Sequence, residues 1–175
     1  MSNDIEKTYL DKQEIYELAC KYMRGLDRWD KELLGSVFHD DAFCEYGFHN
    51  SDAATFVDFC MEALGGHISN HHMIGQMLIE VDGEEAFGEV YFNAYHKTKK
   101  EDGSFEEVII AGRYIDRYEK REGLWKISYR SEAVDFTRTQ DCNEPYYDTP
   151  GGQACIRGKR QDDNVYDKER TRKRI

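Results

Sequence analysis

Between Leu10 and Asp27, apolar residues recur at steps of three and four. Tyr16, Cys20 and Met23 form one row, and Ile15, Leu18, Tyr22 and Leu26 form a neighbouring one. That spacing predicts a helix with one buried face. Gly25 weakens its end. A second, short helix is expected from Asp30 to Phe38 with Leu33, Leu34 and Val37 inward, and Ala42-Phe43-Cys44-Glu45-Tyr46 reads as a short strand. Ser51 or Asp52 caps a third helix that carries Phe56, Val57, Phe59, Cys60, Ala63 and Leu64, and Gly65-Gly66 stops it. The period then changes from helical to alternating. Met73–Val81, Ala86–Lys97, Val108–Tyr118 and Leu124–Phe136 read as strands, joined at Asp82-Gly83, Asp102-Gly103 and Glu122-Gly123. Three helices followed by a meander of antiparallel strands give an α+β fold, and the sheet must bury one face against the helices.

A chain of 175 residues fits one such domain rather than two. Its 13% aromatic content, with twelve Tyr and nine Phe, allows a cavity lined by rings. The net charge of −11 argues against a general nucleic-acid binder. No apolar run is long enough for a membrane helix, so no membrane partner is expected. The opening Met-Ser-Asn-Asp-Ile-Glu-Lys has no basic stretch followed by an apolar one, which points to a cytoplasmic protein. The odd cysteine count (Cys20, Cys44, Cys60, Cys142 and Cys155) without a Cys-x-x-Cys pair suits buried thiols better than a disulfide scaffold or a zinc ribbon. Residues 156–175 carry eight Lys/Arg against four Asp/Glu, so a basic tail follows an acidic body, and a solvated or subunit-clasping extension is expected over 139–175.

Two features stand out as chemistry. Asp27 continues the row of Tyr16, Cys20 and Met23, so a carboxylate ends an apolar stripe at the dipole-unfavourable end of a helix. It is either a fraying end or a placed functional group. His71-His72 opens a strand, and alternation puts His72, Ile74, Gln76 and Leu78 on one face. His72 there is either a satisfied structural histidine or a base facing a cavity. His67, His71 and His72 could suggest a metal site, but Gly65-Gly66 and Asn70 interrupt any helix that would align them, so no metal is expected. Arg113 and Arg130 lie inside strands, as ion-pair partners or as stabilisers of a developing anion. Tyr22, Tyr46 and Tyr114 are packing residues or hydrogen-bond donors to a ligand. No nucleotide-binding glycine loop, serine-nucleophile elbow or His-Glu-x-x-His motif occurs, so no cofactor is expected and any catalysis would use side chains alone.

The ordered segments Lys21-Tyr22-Met23-Arg24-Gly25-Leu26-Asp27, Phe38-His39-Asp40-Asp41-Ala42-Phe43, His71-His72-Met73-Ile74-Gly75, Gly112-Arg113-Tyr114-Ile115-Asp116-Arg117-Tyr118 and Gly123-Leu124-Trp125-Lys126-Ile127 resemble the SnoaL-like branch of the nuclear transport factor 2-like superfamily. The resemblance implies a domain over 1–138 shaped as a cone-like α+β barrel, in which a curved antiparallel sheet wraps around three N-terminal helices, the architecture also called cystatin-like. It implies a lyase of dehydratase, dehydrohalogenase or deformylating type, with an isomerase or a non-catalytic ligand-binding or dioxygenase-subunit role as alternatives. By the same resemblance Asp27 and His72 take the positions of an acid–base pair, Tyr22 and Tyr46 those of two site tyrosines, and Arg130 that of a site arginine. His71 competes with His72, and the strand face favours His72. The implied oligomer is a trimer built through the outer sheet face. The expected substrate is a small, hydrophobic, aromatic or polycyclic molecule, held by Trp29, Phe43, Phe59, Phe92 and Tyr114, with Gln76 on the His72 face.

Overall fold

A computed structural model describes residues 2–155 and 163–172; the rest of the expected extension, 156–162 and 173–175, lies outside the described residues. Helix α1 spans Ser2–Arg28, longer than the apolar pattern predicts, and residues 4–10 at its start are exposed, Ile5 and Tyr9 included. Of its two rows, Ile15, Leu18, Tyr22 and Leu26 are buried, whereas Tyr16 is exposed and Cys20 half-buried. Helix α2 is Lys31–Ser36, capped by Asp30, whose side chain accepts from the Leu33 N–H. Strands β1 (Phe38–Glu45) and β2 (Asn50–Asp52) precede α3 (Ala53–Gly65), where Asp52 is the N-cap and Gly66 the C-cap.

The long strands are β3 (Ser69–Asp82), β4 (Glu85–Lys99), β5 (Phe105–Arg121) and β6 (Leu124–Asp141). Each outruns its apolar core because ladder bonds continue where side chains turn polar. The turn at Glu122-Gly123 needs positive φ at both residues, 54° and 80°, which Gly123 supplies without strain. The six strands form one sheet in the order β2-β1-β6-β5-β4-β3. The pairs β3–β4, β4–β5 and β5–β6 are antiparallel, but β1 runs parallel to β6, a departure from the all-antiparallel expectation. The sheet is open, with β2 and β3 at its edges. Helix α1 crosses one face, packing on β3 and β6, while α3 packs on β1. At the far end, Asp11 accepts from Trp125 Nε1 and from Lys120 Nζ, both at 2.8 Å, which pins the start of α1 to β5 and β6.

Beyond β6, a 3-10 turn at Pro145–Asp148 leads into the short helix α4 (Pro150–Gln153). The described later part of the extension lies back on the end of α1. Arg28 bonds Asp163 at 2.9 Å, Tyr166 donates to Asp30 at 2.8 Å, and the Arg24 guanidinium sits 4.8 Å from the Tyr166 ring centre. No helix is long and apolar enough to cross a membrane among the described residues. All five cysteines are free thiols.

Candidate active site

Strand β3 decides which histidine faces α1. His71 is exposed, and His72 turns under the helix with a side chain only 6% exposed. Its backbone N–H donates to both Asp27 carboxylate oxygens, at 3.0 and 3.1 Å, and its ring Nδ1 stands 2.7 Å from Asp27 Oδ1. A carboxylate only accepts, so Nδ1 carries the hydrogen and the lone pair is left on Nε2. The clamp on both the backbone and the ring fixes the imidazole's orientation. The Asp27 side chain, at the end of α1, is 10% exposed. The pair opens on a groove of about 420 Å³ between α1 and β3, walled by Cys20, Met23, Asp27, His72 and Ile74. A larger hollow of about 610 Å³ lies between α2, β1 and α3, against Phe38, His39, Ala53 and Val57. It holds none of the expected site residues, and its one imidazole, His39, is bonded through Nε2 to the Glu119 backbone carbonyl.

His96 of β4 lies beside the pair. Its ring is edge-on to His72 with centroids 5.1 Å apart, and its Nδ1 is 2.9 Å from Asn70 Oδ1, which also meets His67 Nδ1 at 2.7 Å. Burial, reinforced by the neighbouring His72 and His67, pushes the His96 pKa down to about 3. His96 is therefore neutral in the fold and protonated in the unfolded chain below about pH 6.5. The unfolded state binds the extra proton, so this residue's contribution to stability is lost as pH falls from about 6.5 toward 3. Between pH 6.5 and 4.5 the loss amounts to about 2–3 kcal/mol. Urea unfolding across that range should show a steeper acid limb for the wild type than for His96→Phe; equal slopes would contradict it. Among the described residues, no three His, Cys, Asp or Glu side chains group as metal ligands would.

A second cluster lies under the middle of α1. Tyr22 is five residues before Asp27, a rise of about 7.5 Å. Its hydroxyl is 2.8 Å from that of Tyr46. Burial raises both hydroxyls above the ordinary tyrosine range, so they stay protonated and able to donate. Beside them Arg130 is fully buried, its Nε and Nη2 each 2.7 Å from an Asp116 oxygen. Its guanidinium carbon is 4.2 Å from the Tyr22 ring centre and 4.1 Å from that of Tyr114. Burial alone would lower the Arg130 pKa; the Asp116 carboxylate outweighs it and holds the guanidinium charged. The remaining nitrogen, Nη1, is buried with no hydrogen-bond partner. A buried charged donor left open is costly unless an acceptor visits it.

The expected lining residues separate. Phe92 and Tyr114 are buried and stacked, with centroids 4.4 Å apart, against this second cluster. Phe59 is half-buried and stacks on His49 at 4.2 Å. Phe43 is 45% exposed, because strand alternation in β1 turns Ala42 and Cys44 inward and Phe43 outward. Gln76 is also outside. The β3–β4 register shifts between Ile74 and Met77, and that bulge sends Met77, Ile79 and Val81 to the covered face in place of Gln76 and Leu78. Trp29 forms the turn after α1 at φ 54°, 37% exposed, its Nε1 donating to the Met61 carbonyl at 2.6 Å. Arg113 points to the outer side, bonded to Glu89 and Asp135. The sequence pattern did not single out His96, Asp116 or Glu132. Glu132 stands opposite Tyr114 across β5–β6, and burial, partly opposed by the Arg130 charge, lifts its pKa to about 7.

Solved structures share this architecture. A hexachlorocyclohexane dehydrochlorinase (LinA type 2) aligns with a TM-score of 0.70 at 20% identity, covering 78% of this chain and 93% of that one. A scytalone dehydratase candidate from Novosphingobium aromaticivorans aligns with a TM-score of 0.68 at 22% identity, covering 80% and 93%. A protein of unknown function with a cystatin-like fold, from Nostoc punctiforme, aligns with a TM-score of 0.60 at 23% identity, covering 72% and 92%. No curated protein matches the sequence. The SnoaL-like domain model matches residues 7–131, and the chain belongs to that family.

Proposed function

We propose that the protein is a lyase that removes a small group from a neutral, hydrophobic aromatic or polycyclic substrate, using side chains alone. The observation that carries this is the Asp27–His72 contact of 2.7 Å, with the backbone N–H of His72 held by the same carboxylate. His72 Nε2 takes a proton from carbon, and Asp27 stabilises the imidazolium that forms. The oxygen that gains charge is met by Arg130 Nη1 and by the hydroxyl of Tyr22 or Tyr46 that is not spent on the other. The stacked Phe92 and Tyr114 rings suit a flat, uncharged substrate. Dehydrochlorinase and dehydratase names among its structural relatives agree with elimination chemistry.

An aromatic β-hydroxy ketone is a suitable test molecule, since its carbonyl acidifies the proton to be removed and loss of water gives an ultraviolet-absorbing enone. The wild type should form the enone and the His72→Ala variant should not. Equal rates in the two proteins would refute the assignment. A homotrimer through the outer sheet face is part of the proposal. Leu78, Phe87 and Ile115 lie exposed on that face on three adjacent strands. Sedimentation should show a trimer that Phe87→Glu dissociates; a monomeric wild type would remove this part.

A further inference from the structure

Glu132 has no role in the steps above. It lies two residues after Arg130 on β6, on the same face of the sheet and about 7 Å further along. Its cross-strand partner is Tyr114, the ring that touches Phe92, Tyr22 and the Arg130 guanidinium. The ionisable groups that feel its charge are Arg130 on its own strand, Tyr114 on β5 and Cys60 on α3; Tyr22 and Asp116 stand one contact further off, against Tyr114 and Arg130. Arg130 is the one cation of that set, and Asp116 already occupies two of its nitrogens. Among the described residues the Glu132 carboxyl forms no hydrogen bond or ion pair. A half-buried carboxyl group on the sheet face of Arg130, opposite the Tyr114 ring and given no structural partner, is placed to serve a ligand oxygen.

We propose that Glu132 is the proton donor to the leaving oxygen, which makes the substrate a hydroxylated compound that loses water rather than one that loses halide. The inference rests on the lyase reading above. In the step, His72 Nε2 takes the proton from carbon, and the electrons of that C–H bond form the new C=C bond. The C–O bond breaks, and the Glu132 O–H proton goes to the departing oxygen to give water. Glu132 is left as a carboxylate beside Arg130, His72 as imidazolium, and exchange with solvent returns both protons to their starting places. Halide is a stable anion and needs no such proton. The burial that lifts the Glu132 pKa to about 7 keeps the acid form available near neutrality.

The test uses the full chain with two probes, an aromatic β-hydroxy ketone and the matching β-chloro ketone, each measured above its uncatalysed rate. Glu132→Gln should slow loss of water by about 10²–10⁴-fold, while loss of chloride falls by less than tenfold. Glu132→Asp, which keeps the acid, should recover part of the water-loss rate. Carboxyl-labelled glutamate followed by NMR should show one resonance, absent from Glu132→Gln, with a midpoint near 7. Water loss unchanged in Glu132→Gln, equal loss of both activities, or a midpoint in the ordinary glutamate range would each overturn the proposal. A wild type that expels chloride but not water would overturn it and leave the lyase assignment standing. One that expels neither would overturn both.

Discussion

Asp116→Ala should lower the unfolding free energy by about 3–5 kcal/mol, read as a shifted urea midpoint with unchanged slope. Asp116 is 3% exposed and takes three short bonds, from Arg130 Nε, Arg130 Nη2 and the Tyr118 hydroxyl. Its removal strands a guanidinium with no solvent contact and takes from the Tyr118 hydroxyl its carboxylate acceptor. The cost lies in the orphaned charge rather than in any great worth of the pair, because desolvating both ions offsets much of their attraction. The double variant Asp116→Leu/Arg130→Met should therefore recover most of the loss while remaining inactive. A drop below about 1 kcal/mol for Asp116→Ala, as for exposed pairs, would mean that water reaches Arg130. The open Nη1 would then lose its meaning as a ligand contact.

This pair shows where the sequence is legible and where it is not. In β5 the alternation Tyr114, Asp116, Tyr118 puts an acid between two buried rings, and in β4 the series Val90, Phe92, Ala94, His96 carries a histidine to the covered face. Both were readable from period two alone. On β6 the register shifts opposite Arg117/Tyr118, so Trp125 and Ile127 are inward before it and Arg130 and Glu132 after it. Unbroken alternation from Ile127 would have sent Arg130 and Glu132 to solvent. The bulge after Ile74 misplaces Gln76 by the same physics. There Gly75 carries the only local signal, since a Cβ on it would come within 3.1 Å of the Tyr91 Cβ. The helices and the inward face of His72 were legible because neither depends on counting through a bulge: one rests on helical period, the other on alternation that begins before the shift after Ile74. The resemblance supplied the acid–base pairing itself, which periodicity left open.

Asp27→Asn should reduce elimination of water from an aromatic β-hydroxy ketone by about 10³–10⁴-fold, with little change in fold. An asparagine carbonyl can still accept the His72 backbone N–H. If it does, its amide hydrogens face the ring nitrogen that now donates to Asp27 Oδ1 at 2.7 Å. The ring answers by moving its hydrogen to Nε2, and the lone pair needed for proton abstraction turns away from the substrate. His72→Ala should lose about 10²–10⁴-fold for a different reason, the absence of any base. The two variants are separated by chemical rescue: added imidazole restores part of the rate to His72→Ala, where a cavity awaits it, and none to Asp27→Asn, where the ring still fills the space. Rescue of both would show that Asp27 does not govern the tautomer. Rescue of neither, with enone formation in His72→Ala still near the wild-type rate, would mean the proton leaves by way of another group.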